Sequence, residues 1–362
     1  MDFDLNENQQ EMRTALRSMF EGACDIRHVR QVAYDGDGRD PGLWKALSEG
    51  GWTALMVPEA EGGSGLRFED FIVLLEEAGR AVAPVPLTTT LLAGRVIANA
   101  PAGAARSKLL KQITTGTSSF TLALGEGVKA EAAGGNWRLN GKLEFVPYGP
   151  LAGTALVQAA LPGGKRALLA VPTNATGIQW LDLDVMDRTV RQYEMTLEGV
   201  NVGGAASIFG NADAGPAIDT LLGEWRAALA AESLGVAEKM TELSVAYVKE
   251  RVQFGKPVGS NQAVKVRIAE MGAVIDRLRS AVYYAAWAID SNVSERKLAI
   301  AMAKAAASAP GALLGSQAIH VHGGIGFTWE YDLHLYFKRI KSNELLLGDT
   351  SASLQQIADE VL

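Results

Sequence analysis

The sequence predicts an α+β multidomain fold: a helical front, a small antiparallel β-barrel in the middle and a helical end. Three observations predict it. Apolar residues recur at three- and four-residue steps up to about residue 115 and again from about residue 213. Between about 116 and 208 the period changes to short apolar runs separated by turn residues at regular intervals. A chain of 362 residues also exceeds one ordinary hydrophobic core. The domains expected are therefore 1–115, 116–212 and 213–362.

Taken in order, the front opens on an amphipathic helix from Leu5 to about Gly22, and residues 41–50 give a short helix ending at the pair Gly50 and Gly51. A glycine-rich loop at 56–65 reads as a turn before a helix at 68–81. Pro84 and Pro86 stop that helix, and residues 91–98 and 104–113 give two more. In the middle, 120–124, 137–146, 154–159, 166–171 and 193–197 read as strands. Asn140 and Gly141 are expected to form a hairpin turn, because both tolerate positive φ. No internal repeat or low-complexity segment is present.

Composition narrows the function classes. At 48% hydrophobic and 21% charged residues the chain is globular, and its net charge of −7 argues against a general nucleic-acid binder. A polyanionic ligand would need local basic groups. The one cysteine, Cys24, excludes an intrachain disulfide and a cysteine-rich metal site. The N-terminus is acidic and polar, unlike a signal peptide. Lys304 and Pro310 break the apolar stretch at 299–314, so no membrane span is expected and the cytoplasm is the expected location.

The stretch from Ala227 to Met271 carries the most information. Leu229, Leu234, Ala237, Met240, Ser244 and Tyr247 recur as one buried helix face would. Gly255 and Pro257 stop this helix, and Ser260 or Asn261 can cap the next. Arg251, Phe254 and Gln262 are thereby presented around a helix–helix turn. A planar guanidinium suits pyrophosphate oxygens, a phenylalanine offers a stacking face, and an amide both donates and accepts.

The pattern R-x-x-F-G-x-x-hydrophobic-x-x-x-Q from Arg251, followed by A-E-M, resembles the signature of acyl-CoA dehydrogenases, which are FAD flavoproteins. A second motif supports it: H-G-G-I-G-F-T-W-E-Y from His322, then Lys338 and Arg339. The resemblance covers nearly the whole chain. It implies a helical N-terminal domain, a central β domain and a C-terminal four-helix bundle. Arg251, Phe254, Gln262, Gly323, Gly324 and Gly326 match the family's FAD-binding positions. His320 stands where a glutamine is usual, and Thr350 matches a family threonine. His320 and His322 alternate without a carboxylate cluster, so no metal is expected.

The resemblance implies removal of a proton next to a thioester carbonyl by a carboxylate, while a hydride passes to the flavin. Here the chain departs from the family. Matching Thr350 puts Gly348 where the family's glutamate base stands, with Asp349 one residue along. Asp349 is a candidate base; the competing reading is a helix N-cap. Other members carry the base on the preceding long helix. Its position here is Trp225, with Glu224 adjacent as a second candidate, and the family arginine that follows falls on Arg226, a candidate substrate contact.

In the middle domain, the segments that line the flavin ring in the family correspond to residues 123–128 and 144–148. Their hydroxyls and tryptophan are missing, and Pro147 removes a backbone donor. The resemblance also implies tetramers in which each FAD is shared between neighbours. A chain that keeps the half given to a neighbour and lacks the half it needs itself is expected as one subunit of an α2β2 heterotetramer. Such pairs resemble the bacterial dehydrogenases that shorten steroid side chains. The alternatives are a self-sufficient homotetramer using Asp349 and a non-catalytic scaffold on the same fold. The implied partners are an acyl-CoA substrate, a homologous subunit and an electron-transfer flavoprotein.

Overall fold

A computed structural model describes residues 5–362. The front holds α1 (Glu7–Ala23), α2 (Ile26–Arg30), α3 (Pro41–Glu49), α4 (Phe68–Arg80), α5 (Leu87–Ala98) and α6 (Ala104–Thr114). Asn6 and Gln9 start α1 with a reciprocal capping box. Asp40 caps α3 by accepting from Gly42 N and Leu43 N. α5 starts four residues earlier than its apolar period suggests. Pro86 lies at its N-cap, and Thr90 Oγ1 donates to the Pro86 carbonyl at 2.6 Å. The proline that stops one helix thus opens the next.

The strands are β1 (Phe120–Ala123), β2 (Val128–Ala133), β3 (Asn136–Pro147), β4 (Thr154–Ala160), β5 (Arg166–Pro172), β6 (Ile178–Asp182) and β7 (Gln192–Gly203). They form one curled sheet, but it is not an antiparallel barrel. The order is β1-β4-β2-β3-β7-β6, with β5 on β4. β1 and β2 both pair with β4 in parallel. The sheet is mixed because the β2–β3 hairpin intervenes between β1 and β4, a long-range pairing that strand spacing does not reveal. Val128, Leu139, Val157, Leu169, Met195 and Val200 fill its inner face.

The expected hairpin turn at Asn140 and Gly141 is overturned. β3 runs straight through both residues, and the turn between β2 and β3 is Gly134 and Gly135, with φ of 58° and 85°. Asn140 and Gly141 instead make an irregularity in the β3–β7 register. Asn140 Oδ1 accepts from Gly199 N at 2.7 Å. A Cβ at Gly141 would lie 2.1 Å from the Gly127 carbonyl oxygen. Only Gly141 uses its tolerance of positive φ, at 138°, and there it serves a bulge. β2 and β6 escaped the period because β2 is alanine-rich and β6 is a half-exposed edge strand.

The C-terminal part holds α7 (Gly215–Glu250), β8 (Val252–Gln253), β9 (Lys256–Pro257), α8 (Gln262–Asp290), α9 (Arg296–Ala307), α10 (Ala309–His322), α11 (Leu333–Leu345) and α12 (Thr350–Val361). The described residues divide into two compact units. One takes the chain up to Gln31, Arg67–Ala83 and Arg226–Leu362; the other takes Val32–Leu66 and Pro84–Trp225. In the first, α8, α9 and α10 pack on one another, with α11 and α12 against them. α4 and α7 meet backbone to backbone: a Cβ at Gly79 would lie 2.2 Å from Glu232 O, and one at Gly235 would lie 1.8 Å from Glu76 O. Around this crossing Arg17 and Arg80 pair with Glu77, Arg80 and Arg279 with Glu238, and Tyr283 donates to Glu76 at 2.8 Å.

Arg296–Phe327 is long and apolar enough to cross a bilayer by length and composition, yet over half of its most apolar window is buried within the protein. Lys304, within its first third, is buried and donates to the carbonyls of Asn343 (2.5 Å) and Glu344 (2.9 Å) at the end of α11. Burial pushes its ammonium down to about 8. This is the packing of a core segment.

Candidate functional site

After α7 the chain folds back as a two-stranded hairpin, with Val252 opposite Pro257 and Gln253 opposite Lys256. The break is therefore a hairpin and not a simple helix–helix turn. Its two tip residues, Phe254 and Gly255, have φ of 51° and 74°, as the tightest hairpin loops require. Glycine adopts that conformation freely, whereas phenylalanine does so under strain. The Phe254 ring is 99% exposed, so no packing within the chain offsets the strain. A strained residue without contacts of its own is a functional candidate.

Beside the hairpin lies a groove of about 720 Å³. Tyr247 and Arg251 reach it from the end of α7, Phe254 and Lys256 from the hairpin, Arg267 from α8, and His320 and His322 from the end of α10, with Gly323 and Gly324 beyond. The lining carries three cations, Arg251, Lys256 and Arg267, and no Asp or Glu. None of the three side chains has a hydrogen bond or ion pair among the described residues. In a chain of net charge −7, the groove reverses the sign locally and is suited to a polyanion.

The two glycines differ in what they require. Gly323 has φ of 66° and needs glycine for its backbone. Gly324 lies outside the left-handed region, and a Cβ there would meet nothing within 4 Å. The fold itself does not demand its missing side chain, which leaves open space at the groove. His322 is buried, stacked on Tyr247 with centroids 4.5 Å apart. Its Nδ1 lies 2.7 Å from Ala318 O, the geometry of an Nδ1–H donor, and Nε2 has no hydrogen-bond partner among the described residues. Burial pushes its pKa down and keeps the ring neutral.

Of the residues expected to act together, Arg251, Phe254, His320, Gly323 and Gly324 share this groove. Gln262, exposed at the start of α8, does not line it. Gly326 packs inward, where a Cβ would meet Ile319 O at 2.7 Å. Thr350 Oγ1 accepts from Ala309 N at 3.0 Å, at the start of α10. Sequence reasoning missed Lys256 and Arg267, and named His322 only as the start of the second motif, with no role at the site. A signal was available for the cations: residues 251–267 hold four Lys or Arg and no Asp or Glu.

The turn between α11 and α12 has a different chemistry. Leu347 and Gly348 both have positive φ, 61° and 103°. Arg226 Nε donates to Leu347 O at 3.0 Å, and burial pushes the guanidinium down from its ordinary value. Asp349 is exposed and caps α12, its Oδ1 accepting from Ala352 N at 3.0 Å. At Gly348 a Cβ would lie 3.0 Å from Ala352 Cβ. In the other unit Glu224 is buried and bonded by Arg95 Nε at 2.9 Å, and Trp225 is 3% exposed. Also in that unit, Phe145 has φ of 56° at a register shift between β3 and β7 and is 53% exposed. The next carbonyl but one, Pro147 O, accepts from Thr121 Oγ1.

The model of the acyl-CoA dehydrogenase C-terminal domain matches residues 215–362, and that of the N-terminal domain matches residues 6–117. The chain belongs to the acyl-CoA dehydrogenase family. Members of that family are FAD-dependent oxidoreductases. This acyl-CoA dehydrogenase chain is 30% identical over 358 residues to acyl-CoA dehydrogenase IpdE2 of Mycolicibacterium smegmatis, covering 99% of this chain and 100% of that protein. Among solved structures, it is similar to a steroid acyl-CoA dehydrogenase described as the Tcur3481-Tcur3483 G363A variant, at 33% identity, TM-score 0.89 and 98% of each chain. It is also similar to a chain of the ChsE4-ChsE5 complex from Mycobacterium tuberculosis, at 26% identity and TM-score 0.93, over 100% of this chain and 99% of that one.

Proposed function

We propose that this chain is one subunit of a heteromeric acyl-CoA dehydrogenase acting on a bulky acyl-CoA, and that a homologous partner supplies the catalytic base. The observation that carries the proposal is the contrast between a well-furnished groove and a turn without a free carboxylate. The groove fits the phosphate-bearing half of FAD. It has three unpaired cations and no acid, a flat exposed ring at its edge, and a glycine whose missing side chain the fold does not require. When bound, FAD supplies the hydride acceptor.

The chain's own residues then have distinct tasks. Arg251 offers its planar fork to phosphate oxygens. Phe254 would offer its exposed ring as a stacking face for the adenine, and His320 would supply a hydrogen-bonding group. Gly323 and Gly324 let the backbone approach closely. Gln262 acts at the edge of this site, at the start of α8, whereas Thr350, at the start of α12, is bonded to the end of α10 opposite the groove and acts outside it. Gly326 keeps the turn after α10 packed on Ile319 and His322.

The base positions are otherwise engaged. Gly348 has a backbone that disfavours any side chain, Asp349 is occupied as a helix cap, and Glu224 is held by Arg95. Arg226 steadies the same turn through Leu347 O. The two-component descriptions of these two solved relatives, one of them a steroid acyl-CoA dehydrogenase, support a partner subunit. The test is co-expression with a homologous neighbour. The chain alone should purify without yellow colour, and the pair should be yellow and desaturate an acyl-CoA. Full flavin occupancy with turnover by the lone chain would overturn the proposal.

A further inference from the structure

We infer that Arg267 and Lys256 join Arg251 in a three-cation clamp that recognises the diphosphate of an adenosine nucleotide. This rests on the proposed function for the groove and adds two residues that the family motif does not contain. The three cations come from three different elements: the end of α7, the returning strand of the hairpin and the second turn of α8. They converge on one groove and face no acid there. Arg267 is half-buried, yet among the described residues no carboxylate is bonded to it. Arg80 and Arg279, elsewhere in the same unit, are each paired with two or more glutamates.

A half-buried cation is stabilised by an opposite charge, and the groove itself provides none. One arginine fork satisfies one phosphate. Two linked phosphates, with about two negative charges, match a second guanidinium and an ammonium. Phe254 at the groove's edge offers a stacking face for a base, so the ligand class is an adenosine diphosphate group. That group occurs in FAD, in coenzyme A and in free ADP.

The experiment is titration calorimetry of the full chain with ADP, AMP and adenosine at two salt concentrations. ADP should bind at least tenfold more tightly than AMP, and less tightly at high salt. Arg267→Ala should weaken ADP about tenfold and leave adenosine unchanged, and Lys256→Ala should act in the same direction. Arg267→Lys should restore most of the loss. The same variants in the co-purified complex, read as the rate of FAD release by flavin fluorescence, give a second measurement if the lone chain does not fold.

If Arg251→Ala loses ADP or FAD while Arg267→Ala and Lys256→Ala do not, the clamp is wrong and the proposed function stands. If no variant affects ADP or FAD, the groove is not a nucleotide site and both fall. Competition separates the sources. A FAD-loaded complex that no longer takes up ADP assigns the groove to FAD. One that still binds coenzyme A there keeps the clamp and overturns the FAD reading.

Discussion

Replacing Phe254 by asparagine should stabilise the lone chain and weaken its hold on a nucleotide. Phe254 occupies a left-handed conformation at the first of two tip positions in a two-residue hairpin loop. A side chain with a Cβ gives up roughly 1–2 kcal/mol there, and asparagine is among the few residues that tolerate it. Removing a core phenylalanine would normally cost about 3–5 kcal/mol. At 99% exposure, this ring buries nothing in the chain and that cost disappears. The net expectation is a gain of about 1 kcal/mol, localised to the hairpin.

A stacked base loses about 1–3 kcal/mol when its aromatic platform is removed. ADP or FAD should therefore bind roughly fivefold to a hundredfold more weakly. The stability arm is read by amide exchange at Val258, whose N–H donates to Arg251 O at 2.8 Å across the hairpin, together with urea unfolding. Phe254→Ala serves as control, since it removes the ring but keeps the strain. A destabilised Phe254→Asn chain with unchanged nucleotide affinity would refute the reasoning, because the ring would then be serving the fold.

Four further outcomes are expected. Gly324→Val should leave thermal stability of the chain unchanged while abolishing FAD retention by the complex; a loss of stability would mean the fold needs this glycine after all. Asp349→Ala should destabilise α12 by about 1 kcal/mol and Asp349→Asn hardly at all, since both Asp and Asn cap helices. Turnover of the complex should survive Asp349→Asn, and its loss with an intact fold would restore Asp349 as the base. Gly348→Glu should cost about 1–3 kcal/mol by forcing a side chain onto a left-handed backbone, and assays of the lone chain should find no turnover gained. The folded chain should lose stability as pH falls from neutral through the ordinary histidine value of ~6.5, because burial lowers the pKa of His322 and unfolding takes up the proton. His334, also lowered chiefly by burial, contributes in the same direction. His322→Phe keeps the stack on Tyr247 and should flatten part of that slope in denaturation at pH 7 and pH 5.

Much of the fold was legible because its signals are local. α1, α3, α4, α6 and most of the strands announce themselves by period and caps. The sheet's parallel pairings were not, since β4 meets β1 and β2 only after the intervening hairpin has closed. Asn140 and Gly141 share a propensity for positive φ, but whether it is used depends on what lies opposite, and only Gly141 takes it up, in a bulge. Gly134 and Gly135 took the turn.

The candidate site divides in the same way. Arg251, Phe254, His320, Gly323 and Gly324 could be named in advance because a short motif fixes the types of side chain that meet a phosphate. Arg267 belongs to no such pattern, and only the approach of α8 to the end of α10 brings it to the same groove. The sequence by itself determined the family, the residue types of a nucleotide grip and the lack of a glutamate at position 348. Only the tertiary structure decided that Asp349 is committed to a helix end, that Glu224 is held by an arginine, and that three cations from separate elements share one acid-free surface. Charge and backbone type are properties of single residues, whereas pairing and burial depend on which distant segments the fold brings together.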